Sequence, residues 1–583
     1  MIILGLNIYH PDASACLLQD GCLIAAIEEE RLVRIKHWAG FPLESVKYCL
    51  KAANLSLLDV DYIALNRDPK ANIYKKLLFA LINRPPFLLL KDRINNFSKL
   101  KQVKHILSQQ FSVPLRDLHA EVFFIEHHRA HLGSAFFVSP FKEASVVSID
   151  GFGDFSSCMV ARGKENKLNF CYAVNYPHSL GMFYTAFTQF LGFSSFGDEY
   201  KVMGLSALGR PRYLRQMEEL LILKPKGKFV LNTSYFSFFN SKARLGWENR
   251  EPALEDVFSD KFIKKFGLPR RADAEIGSFH ADLAASVQFA YEKAFFHILN
   301  YTYKITGIPY LCLAGGCAQN SLANGKISTQ TPFKQVYIPA AVADNGGALG
   351  AAYYLYHQIF THQRKIAMKN AYWGPSFDDE SINEEIESCM HKLSGCFIEK
   401  IDDQNLLCCK IAKFISESKI IGWFQGRMEW GPRALGNRSI LADPRRIKIK
   451  FILNERIKAR EWFRPFAPAI LVEKIGDYFE AGSEDYFMSS IYSVKKNKRE
   501  IISAITHVDG TARPQAVIQQ ENPLFWQLIK EFEKITHVPV LLNTSFNENE
   551  PIVCTPKDAL DCFLRTQIDV LVMGQYVIMR KID

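Results

Sequence analysis

The sequence predicts an α/β chain of two domains, the first of them internally duplicated, and three observations lead there. At 583 residues the chain exceeds the size at which a single hydrophobic core stops growing, so more than one domain is required. A grammar of three strands and two turns at the N-terminus returns near residue 145, which marks an internal repeat. Between His362 and Asp379 the texture changes, and a fresh alternation of helix and strand signals starts after Trp373-Gly374-Pro375. The predicted domains are therefore 1–365 and 366–583, the second long enough for one α/β domain.

In order along the chain, the first unit reads as strands Ile2 to Ile8, Ala13 to Leu18 and Cys22 to Glu28, the last two joined by a Gln19-Asp20-Gly21 turn. A helix follows from about Leu43 to Ala53. The returning unit reads as Ala144 to Ile149, a turn at Gly151 to Asp154, Ser156 to Ala161, a turn at Gly163 to Asn166, and Leu168 to Val174. Two such βββ-plus-helix units, each opening on a buried strand that ends in a polar turn, are the plan of the actin-like ATPase superfold, where ligand lies between the halves. The segment of about 70–110 is rich in Leu, Lys and Phe at helical spacing. It reads as a helical insertion that either shapes an acceptor pocket or serves packing.

Composition narrows the class. Hydrophobic residues at 48% and charged residues at 23% belong to an ordinary globular protein and exclude a disordered or fibrous chain. The net charge of +10 is spread too widely to define a nucleic-acid or membrane surface. Arg445 to Lys450 and Lys495 to Arg499 read as solvated faces. The 13 cysteines show no CxxC spacing, so neither a disulfide framework nor a zinc ribbon is written here. With no export signal, and with the apolar stretch Leu77 to Leu90 broken by Arg84, Pro85 and Pro86, a cytoplasmic location is expected.

Four groups of residues carry chemistry. In Glu126-His127-His128-Arg129-Ala130-His131, a helix would place His127 and His131 on one face, the spacing at which two imidazoles share a metal. Further ligands must come from elsewhere. Gly315-Gly316-Cys317-Ala318-Gln319-Asn320 follows the strand Tyr310 to Leu313, and Asp344 to Gly350 follows Val336 to Ala340. Strand-then-glycine turns of this kind can turn backbone N–H groups toward phosphate or ribose, though close packing also selects glycine. Gln425 to Ser439 interleaves Arg427, Arg433 and Arg438 with Trp430, Gly431 and Pro432, and Lys458, Arg460 and Arg464 come close behind. Guanidinium forks match phosphate oxygens bidentately, and Trp, Gly and Pro fix the backbone that presents them. Thr506 to Arg513 and Leu541 to Asn547 place compact polar side chains after apolar strands, where they line a pocket or close a turn.

Taken together these segments resemble the antibiotic and nodulation-factor O-carbamoyltransferases, the NodU/CmcH/TobZ group. The matching stretches are Gly5-Leu6-Asn7 with His10 and Asp12-Ala13-Ser14, Glu28-Glu29-Glu30-Arg31, Glu126 to His131, Asp150-Gly151 and Gly197 to Gly204. They continue through Gly315 to Asn320, Asp344 to Gly350, Trp430 to Ser439, Arg464 to Pro468, His507 to Arg513 and Asn543 to Asn547. The resemblance implies an actin-like N-terminal domain similar to the tRNA threonylcarbamoyltransferases and a YrdC-like C-terminal domain. The latter would form carbamoyladenylate from carbamoyl phosphate and ATP with Mg2+; the former would pass the carbamoyl group to a hydroxyl of a small-molecule or glycan acceptor.

Carried over residue by residue, the resemblance makes His127, His131 and Asp344 ligands of Fe2+, or of Mn2+ or Zn2+. It makes Arg433, Lys458, Arg464, Arg513, Asn543 and Ser545 contacts of ATP and carbamoyl phosphate, with Arg438 and His507 of the same segments, and Gly315, Gly316 and Asn320 of the glycine turn, on the nucleotide side. His10, supported by Asp12, becomes the base of the transfer step. A monomer or homodimer is expected, with no nucleic-acid or membrane partner. Two alternatives share some of these features. A tRNA threonylcarbamoyl-type transferase would lack the Trp430 to Ser439 segment, and a nucleotide-binding sensor without catalysis would release no pyrophosphate.

Overall fold

The computed structural model describes residues 1–83, 100–238, 245–246, 251–365, 367–480 and 484–581, and the chain divides into two compact units, Met1–Met368 and Lys369–Asp583. The first unit holds two five-stranded sheets. One is built from β1 (Ile2–Asn7), β2 (Ser14–Gln19), β3 (Cys22–Glu28), β4 (Tyr62–Leu65) and β5 (Glu121–Phe124) in the order β3-β2-β1-β4-β5. The other uses β6 (Glu143–Gly153), β7 (Ser156–Lys164), β8 (Lys167–Asn175), β9 (Tyr310–Ala314) and β10 (Gln335–Tyr337) in the order β10-β9-β6-β7-β8.

Counted from each sheet's own first strand, the two orders are the same. The repeat in the sequence is thus a repeat of topology. In each half an antiparallel meander of three strands is extended by two parallel strands. Parallel strands need a long crossover, which in the second half includes the 29-residue helix α2 (Ser278–Thr306). The strand expected over Val336 to Ala340 ends at Tyr337; Pro339 has no N–H to continue a ladder.

The fifth strand of each half leads into a helix: β5 into α1 (His127–Phe136) and β10 into α3 (Gly347–Tyr353). These two equivalent helices cross at close range through small residues. A Cβ on Gly350 would stand 1.8 Å from the Ala130 carbonyl oxygen, and one on Gly133 would stand 2.8 Å from the Gly350 oxygen. Beneath them, a Cβ on Gly5 of β1 would meet the Ala348 oxygen at 2.2 Å. Of the expected insertion, Ile73–Asn83 and Val103–Gln110 are helical, whereas residues 84–99 lie outside the described residues.

The second unit is built on an eight-stranded mixed sheet: β11 (Cys396–Lys400), β12 (Ile421–Phe424), β13 (Arg438–Ala442), β14 (Ala467–Leu471), β15 (Gln515–Val517), β16 (Val540–Ser545), β17 (Val570–Met573) and β18 (Tyr576–Arg580). Their order is β11-β18-β17-β12-β13-β16-β14-β15. The helices α4 (Gln404–Ser416), α5 (Pro523–Thr536) and α6 (Pro556–Arg565) start where local chemistry dictates, with side-chain caps from Asp403, Asn522 and Thr555 and proline in the first turn of the last two. Their apolar faces join one core with Trp423, Ile440, Leu541 and Val572. All 13 cysteines are free thiols. Among the described residues no helix is long and apolar enough to cross a membrane.

The α1–α3 crossing sets the geometry of everything at the N-termini of those helices, so it is the most sensitive packing contact of the first unit. Gly350→Ala is expected to destabilise this unit by about 1–3 kcal/mol, as overpacking of a closed contact does. The check is thermal unfolding of the full chain compared with Ala352→Gly on the same helix.

Candidate functional site

Four buried side chains converge at the N-terminal ends of α1 and α3: His127, His131, Asp150 and Asp344, whose ligand atoms all lie within 4.8 Å of one another. The fold explains the convergence. His127 and His131 stack on consecutive turns of α1, Asp344 precedes α3, and Asp150 stands near the end of the buried run of β6. The Nε2 atoms of the two histidines are 3.0 Å apart. Asp150 Oδ2 lies 3.0 Å from His127 Nε2 and 3.3 Å from His131 Nε2. Asp344 Oδ1 lies 3.5 and 3.3 Å from the same atoms.

Electrostatics bind this cluster together. Burial and the neighbouring His131 push His127 below its ordinary value, while His131, against the effect of burial, is raised to about 10 by Asp150 and Asp344. Burial would raise Asp150, yet the hydrogen bonds from His127 and His131 hold it well below the usual carboxylate range. Asp344 is likewise held down against burial, chiefly by His10. Two imidazoles and two carboxylates form a donor set suited to a divalent first-row ion such as iron, manganese or zinc. Asp344 Oδ1 is buried without a hydrogen-bond partner among the described residues, as an oxygen reserved for a cation would be.

The second oxygen of Asp344 serves a different residue: His10 Nδ1 donates to Oδ2 at 2.6 Å. His10 thus joins the site through Asp344. Asp12, expected to support His10, instead accepts from His37 Nδ1 at 2.7 Å. Asp12 lies in the left-handed region with φ 55°.

The first glycine turn does not work as expected either. The Gly316 N–H donates to Asp150 Oδ1 at 2.8 Å and the Gly315 N–H to the Val342 oxygen, so neither is turned to a phosphate. Gly315 has φ 89°, and a Cβ there would meet the Ile149 oxygen at 2.3 Å; glycine allows this turn to seat the Asp150 carboxylate. Asn320 caps the next short helix through Ala323 N and exchanges hydrogen bonds with Gln288. Asp150 itself was legible as a carboxylate closing an apolar strand before a glycine, but nothing in the local pattern ties it to the histidines of a separate helix.

In the second unit two of the cations of these segments, Arg438 and Lys458, are buried, and Arg433, Arg460, Arg464 and Arg513 are half-buried. Arg438 is completely buried, donates to the carbonyls of Gln425, Gly426, Asn437 and Pro375, and stacks 3.7 Å above the Phe424 ring. It is a core guanidinium rather than the nucleotide contact expected from its segment. Lys458 is also buried, and its ammonium donates to the Ser545 and Asn547 carbonyls and to Asn547 Oδ1. These three acceptors match its three protons, so Lys458 ties down the Ser545 loop instead of reaching a phosphate. Burial, then Arg460 and Arg464, depress its pKa well below the ordinary value.

Arg433, Arg460 and Arg464 lie close enough to Arg513 for their charges to act on it, with Asp485 opposing them. Burial and the charges of Arg433, Arg460 and Arg464 push Arg513 well below the ordinary guanidinium value, and Arg513 Nε is buried without a partner among the described residues. His507, lowered to about 4 by burial and then by Arg513 and Lys450 against the pull of Asp509, is neutral beside them. Asn543 pairs with Gln515 at 2.9 Å, with its Oδ1 buried and unpartnered. Ser545 Oγ donates to Asn547 Oδ1. The loop that presents Arg433 is organised by Glu429, whose Oε1 accepts the backbone N–H groups of Leu435, Asn437 and Arg438 at 2.7, 2.8 and 3.2 Å. Glu429 and Arg460 were both visible in the basic segments, but their separate roles depend on tertiary contacts.

An apolar sheet with strand-end carboxylates and a histidine helix, in one chain with a second unit of crowded arginines, defines a group-transfer enzyme. Residues 2–353 match the carbamoyltransferase N-terminus family and residues 412–580 the carbamoyltransferase C-terminus family; the chain belongs to the carbamoyltransferases. It is 39% identical over 612 residues to protein sll1178 of Synechocystis sp., covering 99% of this chain and 96% of that one. It is 37% identical over 580 residues to the nodulation protein NolNO of Sinorhizobium fredii, covering 99% and 80%, and 38% identical over 465 residues to the nodulation protein NolO of Bradyrhizobium diazoefficiens, covering 78% and 79%. Among solved structures, HypF of T. kodakarensis has a TM-score of 0.30 at 14% identity over 62% of this chain and 48% of that one, too slight a likeness to carry a functional reading.

A divalent ion at the four-residue cluster has to displace the proton that His131 holds. With the folded pKa raised to about 10, that proton is present throughout the neutral range and its loss becomes easier as pH rises. Apparent affinity for Zn2+ is therefore expected to climb about tenfold per pH unit, one proton released per ion, when followed by chelator competition between about pH 6 and 8. A flat profile would show that the ion binds elsewhere.

Proposed function

We propose that the protein is an ATP-dependent O-carbamoyltransferase with an actin-like first unit and a YrdC-like second unit. Its second unit forms carbamoyladenylate, and its first unit delivers the carbamoyl group to an acceptor hydroxyl. In the first reaction carbamoyl phosphate, ATP and water give carbamoyladenylate, pyrophosphate and phosphate. In the second the acceptor oxygen attacks the carbamoyl carbon, AMP leaves, and the hydroxyl proton passes to the protein. A small-molecule or glycan hydroxyl is the acceptor this reading assigns, in a cytoplasmic setting.

The observation that carries the reading is the crowding of Arg433, Arg460 and Arg464 around Arg513. Asp485 acts on Arg513 from the opposite sign and Glu461 pairs with Arg464 at 3.5 Å, and a strongly anionic ligand would offset more of the cost of gathering like charges in a half-buried place. Triphosphate and carbamoyl phosphate together supply that charge, and preorganised guanidinium donors stabilise the charge that develops on pyrophosphate as it leaves. Lys458, Ser545 and Asn547 hold the floor of this site, and neutral His507 can accept or donate a hydrogen bond without adding to the positive charge.

In the first unit, His127, His131, Asp150 and Asp344 would hold the divalent ion, which supplies Lewis acidity toward the carbamoyl oxygen or the adenylate phosphate when bound. His10 takes the proton from the acceptor hydroxyl. Its Nδ1–H is fixed on Asp344 Oδ2, which orients the ring and leaves the proton-accepting role to Nε2.

Two outcomes follow. Arg513→Ala and Arg433→Ala are each expected to lower carbamoyl-phosphate-dependent pyrophosphate release by about a hundredfold or more while metal content stays at the wild-type level, and added carbamoyladenylate should restore transfer. Failure of that rescue would argue against two separable reactions. His10→Ala and His10→Asn should leave pyrophosphate release intact and depress carbamoyl transfer by roughly a hundredfold, measured by mass-spectrometric detection of carbamoylated product in a screen of glycosides and other hydroxyl compounds.

A further inference from the structure

The turn that carries His10 is short, and it is not self-supporting. Asp12 sits at φ 55°, in the left-handed region that Asp enters more readily than most residues with a Cβ. Asn7 Nδ2 spans the inside of the turn, donating to the Pro11 and Asp12 carbonyls at 3.0 and 2.9 Å. On the outside, the segment 37–40 runs alongside: Tyr9 N donates to the Gly40 oxygen and Ala13 N to the Trp38 oxygen, both at 2.9 Å. The one side-chain bond between turn and template is His37 Nδ1 to Asp12 Oδ1, at 2.7 Å, among the described residues.

His37 is itself held at several points, with its side chain 31% exposed. Its backbone N–H donates to Glu30 Oε2 at 2.6 Å, and the other Glu30 oxygen pairs with Arg31 at 2.7 Å. The preceding Glu29 anchors the next helix through Glu44 N, Ser45 N and Ser45 Oγ. The far edge of the imidazole rests on the second half of the unit: Phe196 meets it edge-on at 5.4 Å. A Cβ on Gly197, which has φ 84°, would stand 2.7 Å from His37 Nε2, so glycine is what admits the ring there.

We infer that His37 is a positioning residue for carbamoyl transfer, acting through Asp12 to hold the turn that presents His10 to Asp344. The role rests on the transfer reading above, but the geometry behind it does not. The arrangement accounts for three motifs at once. Glu30 of the Glu28-Glu29-Glu30-Arg31 run fixes the His37 backbone, Asp12 receives its side chain, and Gly197 of the Gly197 to Gly204 segment makes room for it. The charges facing the ring are Asp12, Glu30 and Glu199 with Lys36 opposing, and against burial the first two raise His37 to about 9. The contact is therefore an ion pair at neutral pH, with Nδ1–H as the donor.

The test compares His37→Leu, which removes the donor, with His37→Asn, whose amide nitrogen falls where Nδ1 was. Asp12→Gly removes the acceptor while easing the left-handed turn. The full chain is labelled with 15N at histidine, and the imidazole proton shared by His10 and Asp344 is followed by NMR after assignment with His10→Asn. His37→Leu and Asp12→Gly are expected to lose that downfield signal with melting temperatures close to wild type, and His37→Asn to keep it. Should His37→Leu fail to fold, Asp12→Gly gives the same readout.

The signal persisting in Asp12→Gly or in a folded His37→Leu would overturn the proposal, as would its loss in a folded His37→Asn. A second arm measures AMP release from carbamoyladenylate with water as the acceptor. There His37→Leu should be at least tenfold slower in the wild-type background and less than twofold slower in a His10→Ala background; equal losses in both would mark a merely structural role and overturn the proposal. If the wild-type chain releases no AMP at all, it is the transfer reading that fails, while the NMR comparison still decides the role of His37.

Discussion

The carboxylate of Asp344 divides its two oxygens between two tasks, and the first unit is organised around that division. Oδ1 faces the His127 and His131 nitrogens, and Oδ2 receives His10. One side chain thereby fixes the distance between a metal-type cluster and a histidine able to accept a proton. The duplication makes this possible. His10 lies in the turn after β1 and Asp150 within the equivalent strand β6, while His127 opens α1 and Asp344 lies just before the equivalent helix α3. Two halves of one topology contribute matching positions, and the close crossing of α1 and α3 brings those positions within ligand distance.

The second unit uses buried charge in a different way. The terminal nitrogens of Arg438 and the ammonium of Lys458 donate to backbone and amide oxygens, so these buried cations hold loops together by charge–dipole contacts. The charges of Arg433, Arg460 and Arg464 all act on Arg513, with Asp485 opposing them.

Much of this was legible in the sequence, and the failures have physical causes. The two meanders and the histidine helix follow from period-two and i, i+4 patterns, which are local. Asp344 was reached through a family resemblance and then met the histidines in space. Asp150 was overlooked as a ligand because its partnership is created by strand pairing between β6 and β9 and by the Gly316 turn. Asp12 was placed beside His10 by proximity along the chain, whereas its side-chain partner, His37, lies 25 residues away and is reached only through the fold. Arg438 and Lys458 looked like phosphate ligands by composition; whether a cation faces a ligand or a carbonyl is decided by burial, which a basic segment does not reveal.

The account stands most directly on the shared carboxylate. Asp344→Asn, assayed on the full chain for metal content by inductively coupled plasma mass spectrometry alongside carbamoyl-phosphate-dependent pyrophosphate release and carbamoyl transfer, separates its parts in one comparison. The proposed function predicts loss of bound metal and of transfer with pyrophosphate release retained, because it assigns adenylate chemistry to the second unit. A variant that keeps its metal and its transfer activity, or one that loses pyrophosphate release while remaining folded, would contradict it.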